Sequence, residues 1–155
     1  MKRTDNEARL APIFDRALAR RDDEDYVAAI EMLRFLLTHL TPDDQRLLAH
    51  THLQLGYIYR KTHELEKARH EFAAAVGVAP TLELASMCLF HAILDLGDRE
   101  GAMEEMLRFL RLSDSEQYRE LLSDGYGDNF PDEQRRLAEQ ARLLLNEHEN
   151  KSKLP

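Results

Sequence analysis

Residues 49–80 read AHTHLQLGYIYRKTHELEKARHEFAAAVGVAP. Apolar side chains recur here at helical spacing in two stretches parted by His63-Glu64, and Pro80 stops the second. The pattern predicts a helix ending near Lys61, a tight turn, and a helix over Leu65 to Val78. Upstream, Thr41 can cap the first of these, Pro42 suits its first helical position, and Asp43 and Asp44 favour the positive end of its dipole. Leu10, Ile13, Phe14, Ala17 and Leu18 predict a helix over 7–21, which the charged run from Arg20 to Glu24 interrupts. A second helix follows over about 25–40, with Tyr26, Ala29, Ile30, Leu33, Leu36 and Leu37 turned inward.

Downstream, Thr81 opens a fifth helix that closes at Gly97, a natural C-terminal residue. Asp98 caps a sixth over 99–112, and Ser113 to Glu116 start a short helix to Leu122. Residues 124–130 hold Gly125 and Gly127 and predict a loop. Pro131, Asp132 and Glu133 open a last helix through about Asn146, and the polar chain from Glu147 is expected to fray.

Composition agrees with an all-α fold. The 155 residues are 43 % hydrophobic and 32 % charged, with 6 Gly, 5 Pro and no Trp. This is the balance of a folded globular chain, and the length suggests one domain. A single cysteine, Cys88, excludes a disulfide framework and any CxxC site. No uncharged apolar stretch approaches the length of a bilayer span, and the charged start leads into no signal sequence. A reduced, cytoplasmic protein that engages no membrane is expected. The net charge is −8, and residues 113–150, with 4 basic and 10 acidic side chains, account for −6 of it. That surface repels nucleic-acid phosphates and suits a basic protein partner.

Numbered from Ala49 on a 34-residue period, the central stretch places Leu55 at 7, Gly56 at 8, Tyr59 at 11, Ala68 at 20, Phe72 at 24, Ala75 at 27 and Pro80 at 32. This resembles the tetratricopeptide repeat, with His52 departing at position 4, where the pattern favours a large aromatic. Gly56 and Ala68 are small where the two helices of such a unit cross, and Tyr59 and Phe72 fill the gaps beside the crossing. Numbered from Glu83, Leu89 falls at 7, Phe90 at 8, Ile93 at 11, Gly97 at 15, Ala102 at 20, Met106 at 24 and Phe109 at 27. Phe90 and Phe109 are larger than the pattern expects and imply a shifted crossing. Residues 25–30 resemble the start of another second helix with Ala29 at 20, although Arg16 then falls at 7. The resemblance implies a short solenoid of paired antiparallel helices: a degenerate repeat at 10–42, a strong one at 49–82 and a degenerate one at 83–112. Capping helices at 113–148 close the array through Leu137, Ala141, Leu144 and Leu145, before a polar tail at 149–155. The other face of the last helix carries Arg135, Glu139, Arg142 and Glu147.

In this family the first helices of each pair line a concave groove. Carried over by position, the groove residues are His50, Leu53, Tyr57, Arg60 and Lys61, then Leu84, Met87, His91, Leu94 and Asp95. Phe14, Leu18 and Arg21 extend the set from the first unit. Such a groove suits an amphipathic helix or extended segment of a partner protein. The lysines and asparagines of the family's carboxylate clamp are absent, since those positions hold Leu53, Tyr57, Met87 and His91. Phe90-His91 and Leu96-Gly97-Asp98 also resemble the last repeat of type III secretion chaperones, short acidic bacterial adaptors of this family. A competing expectation is an acidic immunity protein that masks a basic toxin through Asp124, Asp128, Asp132 and Glu133.

The residues do not suggest catalysis. His50 and His52 point to different sides of a helix, His63 and His70 lie across a turn, and His63-Glu64 lacks the second histidine of a zincin. Cys88 lies mid-helix and reads as a small apolar residue. Asp124, Asp128 and Asp132 are spaced by four, not by the twos of a calcium loop. A non-enzyme with no metal or cofactor is the expectation.

Overall fold

The computed structural model describes residues 4–153, and among them the chain is all-α, with eight helices and no strand. These are α1 (Asp5–Asp22), α2 (Tyr26–His39), α3 (Gln45–Lys61), α4 (Leu65–Val78), α5 (Glu83–Asp95), α6 (Arg99–Leu110), α7 (Glu116–Ser123) and α8 (Asp132–Ser152). They fall into two compact units, divided after Pro80. No helix among the described residues is long and apolar enough to cross a membrane.

In the first unit, α1 packs on α2 and α3, α2 packs on α3, and α3 packs on α4. Gly56 of α3 faces Phe72 of α4 directly. A β-carbon there would lie 2.5 Å from Cε1 of the buried Phe72 ring, so only glycine lets α4 approach. Ala68 is fully buried beside it. His52, where the repeat pattern favours an aromatic, sits 2.7 Å through Nδ1 from the Glu71 carboxylate and ties α3 to α4 by a polar contact instead. Tyr59 is buried between its neighbours. Its hydroxyl accepts from the Arg34 guanidinium of α2 at 2.7 Å, and Lys67 of α4 lies over its ring.

Helix α3 begins three residues later than the Thr41-Pro42 signal suggests. Asp44, 1 % exposed, collects its own loop: it accepts the Thr41 N–H at 2.8 Å, the Thr41 hydroxyl at 2.9 Å, the Asn6 amide at 2.6 Å and the Thr4 hydroxyl. Thr41 therefore donates to Asp44 and caps nothing. Burial alone would raise the Asp44 carboxyl, but the bonds from Thr4, Thr41 and Asn6 outweigh it and hold the group well below the usual carboxylate range. With Asp44 occupied, the α3 N-terminus is served from α1. The buried Glu7 carboxylate accepts the Leu47 N–H at 3.0 Å.

The turns inside the helix pairs are alike. Glu24, His63 and Gly97 each take a left-handed backbone, with φ of 60°, 61° and 81°. In each, that residue's N–H bonds three residues back and the following N–H bonds five back: Glu24 to Arg21 and Asp25 to Arg20, His63 to Arg60 and Glu64 to Tyr59, Gly97 to Leu94 and Asp98 to Ile93. This is the Schellman termination, which consumes two of the carbonyls a helix end leaves open. Gly125 and Tyr126 end α7 in the same way.

In the second unit, α5 packs on α6, and α8 packs on α6 and α7. Its core gathers Phe90, Met103, Met106, Phe109, Leu110, Tyr118, Leu122, Ala138, Ala141 and Leu145. The oversized Phe90 and Phe109 are accommodated by Tyr118, whose ring lies 5.6 Å from Phe90 and 6.0 Å from Phe109. The Tyr118 hydroxyl and Glu105 share Ser86 at 2.9 and 2.6 Å, and Arg108 pairs with Glu105 at 2.7 Å. Burial pushes the Tyr118 phenol above its usual range, outweighing the opposing bond from Ser86. Helix α5 starts at Glu83 after an N-cap at Leu82, two residues beyond Thr81.

Two expectations for α8 are corrected. The helix continues past Asn146 to Ser152, because His148 Nε2 reaches the Leu110 carbonyl at 2.7 Å and Glu149 pairs with Lys153 and Arg119. Arg142, placed on the solvent face, instead holds the preceding loop through Asp128 at 2.5 Å and the Leu122 and Tyr126 carbonyls.

Candidate partner-binding site

Helix α3 carries the groove candidates of the first unit, and the structure separates them. Leu53 is 3 % exposed and belongs to the core, so its side chain offers a partner no surface. His50 is half-buried, and burial together with Arg46 pushes its imidazole below the ordinary histidine range. Tyr57, Arg60 and Lys61 are exposed, one turn apart on the C-terminal half of the helix.

Tyr57 is the centre of this group. Its ring is 43 % exposed, high for an aromatic of a helix this well packed. The Arg21 guanidinium carbon of α1 lies 5.4 Å from the ring centroid and Lys61 Nζ 5.6 Å from it, both within cation–π range. Arg21 is fixed by Gln54 Oε1 and by the Asp22 carboxylate at 2.5 Å. Tyr57, Arg60, Lys61 and His63 line one pocket of about 490 Å³. The repeat pattern singles out Tyr57, Arg60, Lys61 and Arg21 as groove candidates; the first three line this pocket and Arg21 lies over the Tyr57 ring. The sequence places His63 in a turn and finds no metal-ligand spacing for it. Its left-handed backbone, adjoining the cationic end of α3, is the signal that places it in the pocket.

In the second unit Leu84 is exposed at 49 %. Met87 and Leu94 are partly buried against the core of that unit, and His91 stands edge-on to Phe90 at 5.3 Å. Phe14 and Leu18 are half-buried and Asp95 is exposed. Cys88 is half-buried within α5.

The competing acidic surface is partly neutralised by its own neighbours. Asp124, Asp128, Asp132 and Glu133 are all exposed, but Asp128 pairs with Arg142 and Asp132 with Arg135. Among the described residues, no group of three or more His, Cys, Asp or Glu side chains is arranged to hold a metal ion. The histidines instead serve locally: His39 stacks on Phe35 at 4.0 Å, His52 meets Glu71 and His148 meets Leu110. No protein-family profile matches the chain, and no curated protein sequence matches it.

Proposed function

We propose that this chain is a protein-binding module of the tetratricopeptide type, an adaptor or chaperone without enzymatic activity, that holds a segment of one partner protein. The observation that carries this reading is a recurrence. On the repeat numbering, Glu24, His63 and Gly97 all occupy position 15, and each takes the left-handed turn with the same pair of hydrogen bonds. Position 20 is a fully buried alanine in all three pairs, Ala29, Ala68 and Ala102. Position 24 is a buried large side chain, Leu33, Phe72 and Met106. A helix pair built this way buries one face and presents the other, which favours contact with another chain over chemistry. The exposed aromatic and cations of α3 are the contact surface in this reading.

The test is site-specific photocrosslinking in the native host, with a benzophenone side chain placed at Tyr57, at Leu84 or at Asp128. The expected result is one partner captured from Tyr57 and Leu84. Capture from Asp128 alone would replace this reading with masking through the acidic surface. No crosslink from any of the three positions would overturn both.

A further inference from the structure

We infer that the pocket around Tyr57 receives an acidic peptide segment of the partner. This rests on the reading of the chain as a protein-binding module and names the chemistry of what it binds.

Charge makes the first argument. The chain carries −8 in total, yet Arg21 and Lys61 lie over one exposed aromatic ring, and Arg60 lines the same pocket as that ring and Lys61. A cluster of cations that repel one another is tolerated where each has a separate structural use, and helix ends provide one: basic residues in the last turn of α3 complement its dipole. That use needs no aromatic and no cation brought from another helix. Arg21 comes from α1 and is held over Tyr57 by Gln54 of α3, with Asp22 on its other flank. Lys61 makes no ion pair among the described residues, so its ammonium has only the Tyr57 ring and water to satisfy it.

Geometry makes the second. The pocket, about 490 Å³, is lined by Arg60, Lys61, His63 and the Tyr57 ring. A carboxylate entering it meets the Lys61 ammonium as a point charge and the Arg60 guanidinium as a planar fork, the arrangement that gives charge-assisted hydrogen bonds their strength. The Tyr57 hydroxyl adds a donor, and its ring a wall for the aliphatic part of a Glu or for an adjoining apolar residue.

Size and surroundings choose a peptide over a polyanion. Asp22, Asp23, Glu24 and Asp25 follow Arg21 directly in the sequence. A nucleic acid, with a phosphate at every residue, meets these carboxylates and the net charge of the chain, and is repelled. A peptide that offers one or two carboxylates avoids them.

The experiment is a titration of the isotopically labelled full chain with a glycine–serine peptide that carries two adjacent glutamates, followed by amide NMR, beside the same peptide with glutamines in their place and inorganic phosphate. The expected result is shifts confined to Arg21, Tyr57, Arg60, Lys61 and His63. They should be produced by the acidic peptide only and be lost between about 0.05 M and about 0.5 M salt. Lys61→Glu, an exposed substitution, should weaken binding at least about tenfold, and Tyr57→Phe should weaken it less than Tyr57→Ala. Four outcomes overturn the inference: no shifts, shifts spread over basic residues elsewhere, phosphate acting as well as the peptide, or self-association at low salt abolished by Lys61→Glu, which would make a second copy the occupant. If the crosslinked partner is still captured by Lys61→Glu, the acidic-peptide inference fails while the protein-binding reading stands.

Discussion

The Glu7 carboxylate in the first turns of α1 accepts the backbone N–H of Leu47, forty residues later, and so caps a helix to which it does not belong. The first N–H groups of a helix have no partner within it, and Leu47 is buried, so water does not readily supply one to its N–H. Glu7 and Asp44 divide the work. Asp44 gathers the loop ahead of α3, and Glu7 closes the helix end that Asp44 leaves open.

Removing Glu7 should therefore destabilise the first unit out of proportion to its distance from the centre of the chain. Glu7→Ala should cost about 2–3 kcal/mol, the range for a buried donor that loses a charged acceptor. Glu7→Gln keeps an oxygen in place and should cost roughly half as much. Urea unfolding of the two variants decides this. Equal losses would mean that packing, not the bond to Leu47, accounts for the effect.

Asp44 gives the same region an acid limit. Its folded carboxyl lies well below the ordinary value of 3.8, so its bonds stabilise the fold fully above that value. The contribution is lost progressively as the pH falls from there toward the folded value, because the unfolded chain takes up the proton first. Stability measured from pH 6 down to about pH 2 should fall across the lower half of that range. Asp44→Asn should be less stable at neutral pH and show a flatter slope below about pH 4. A slope unchanged by the substitution would assign the acid sensitivity to other carboxylates.

What was legible in the sequence and what was not divide along the range of the interactions. Helix α4 lies over 65–78 as predicted, since the His63-Glu64 turn and the stop near Pro80 are local signals. Asp98 caps α6 through the Gly101 N–H for the same reason. The start of α3 was misplaced because Thr41-Pro42 carries every local mark of a helix start, while the cap that acts comes from Glu7. The end of α8 was misplaced because the His148 bond to Leu110 spans 38 residues. At the candidate site, the i, i+4 relation of Tyr57 and Lys61 was visible as helix spacing. The burial of Leu53 was not, because a position number says which way a side chain leaves its helix but not what covers it.

The left-handed turns offer a test of the recurrence. A non-glycine residue in this backbone carries a penalty of about 1–2 kcal/mol, part of which glycine gives back through its freer unfolded chain. Glu24→Gly should thus raise stability by about 0.5–1 kcal/mol, and Gly97→Ala should lower it by about 1–2 kcal/mol. Opposite signs at the two positions, read from thermal or urea unfolding, are the expected result. A loss at both would mean that the Glu24 side chain contributes more than its backbone strain costs.

Gly56 and Phe72 give the sharpest packing prediction. Alanine is the better helix former by about 1 kcal/mol, so Gly56→Ala on an open helix would stabilise. Here the new β-carbon would sit 2.5 Å from a ring atom of Phe72, which is 3 % exposed and has nowhere to go. The strain of overpacking, about 1–3 kcal/mol beyond the propensity gain, should leave a net loss. Leucine at position 72 removes the opposing ring atoms. Phe72→Leu alone opens space and should also destabilise, yet adding Gly56→Ala to it should cost nothing or recover part of the loss. That non-additivity is the signature of direct contact between α3 and α4 at this point. Strict additivity of the two losses in a double-mutant cycle would show that the helices cross elsewhere.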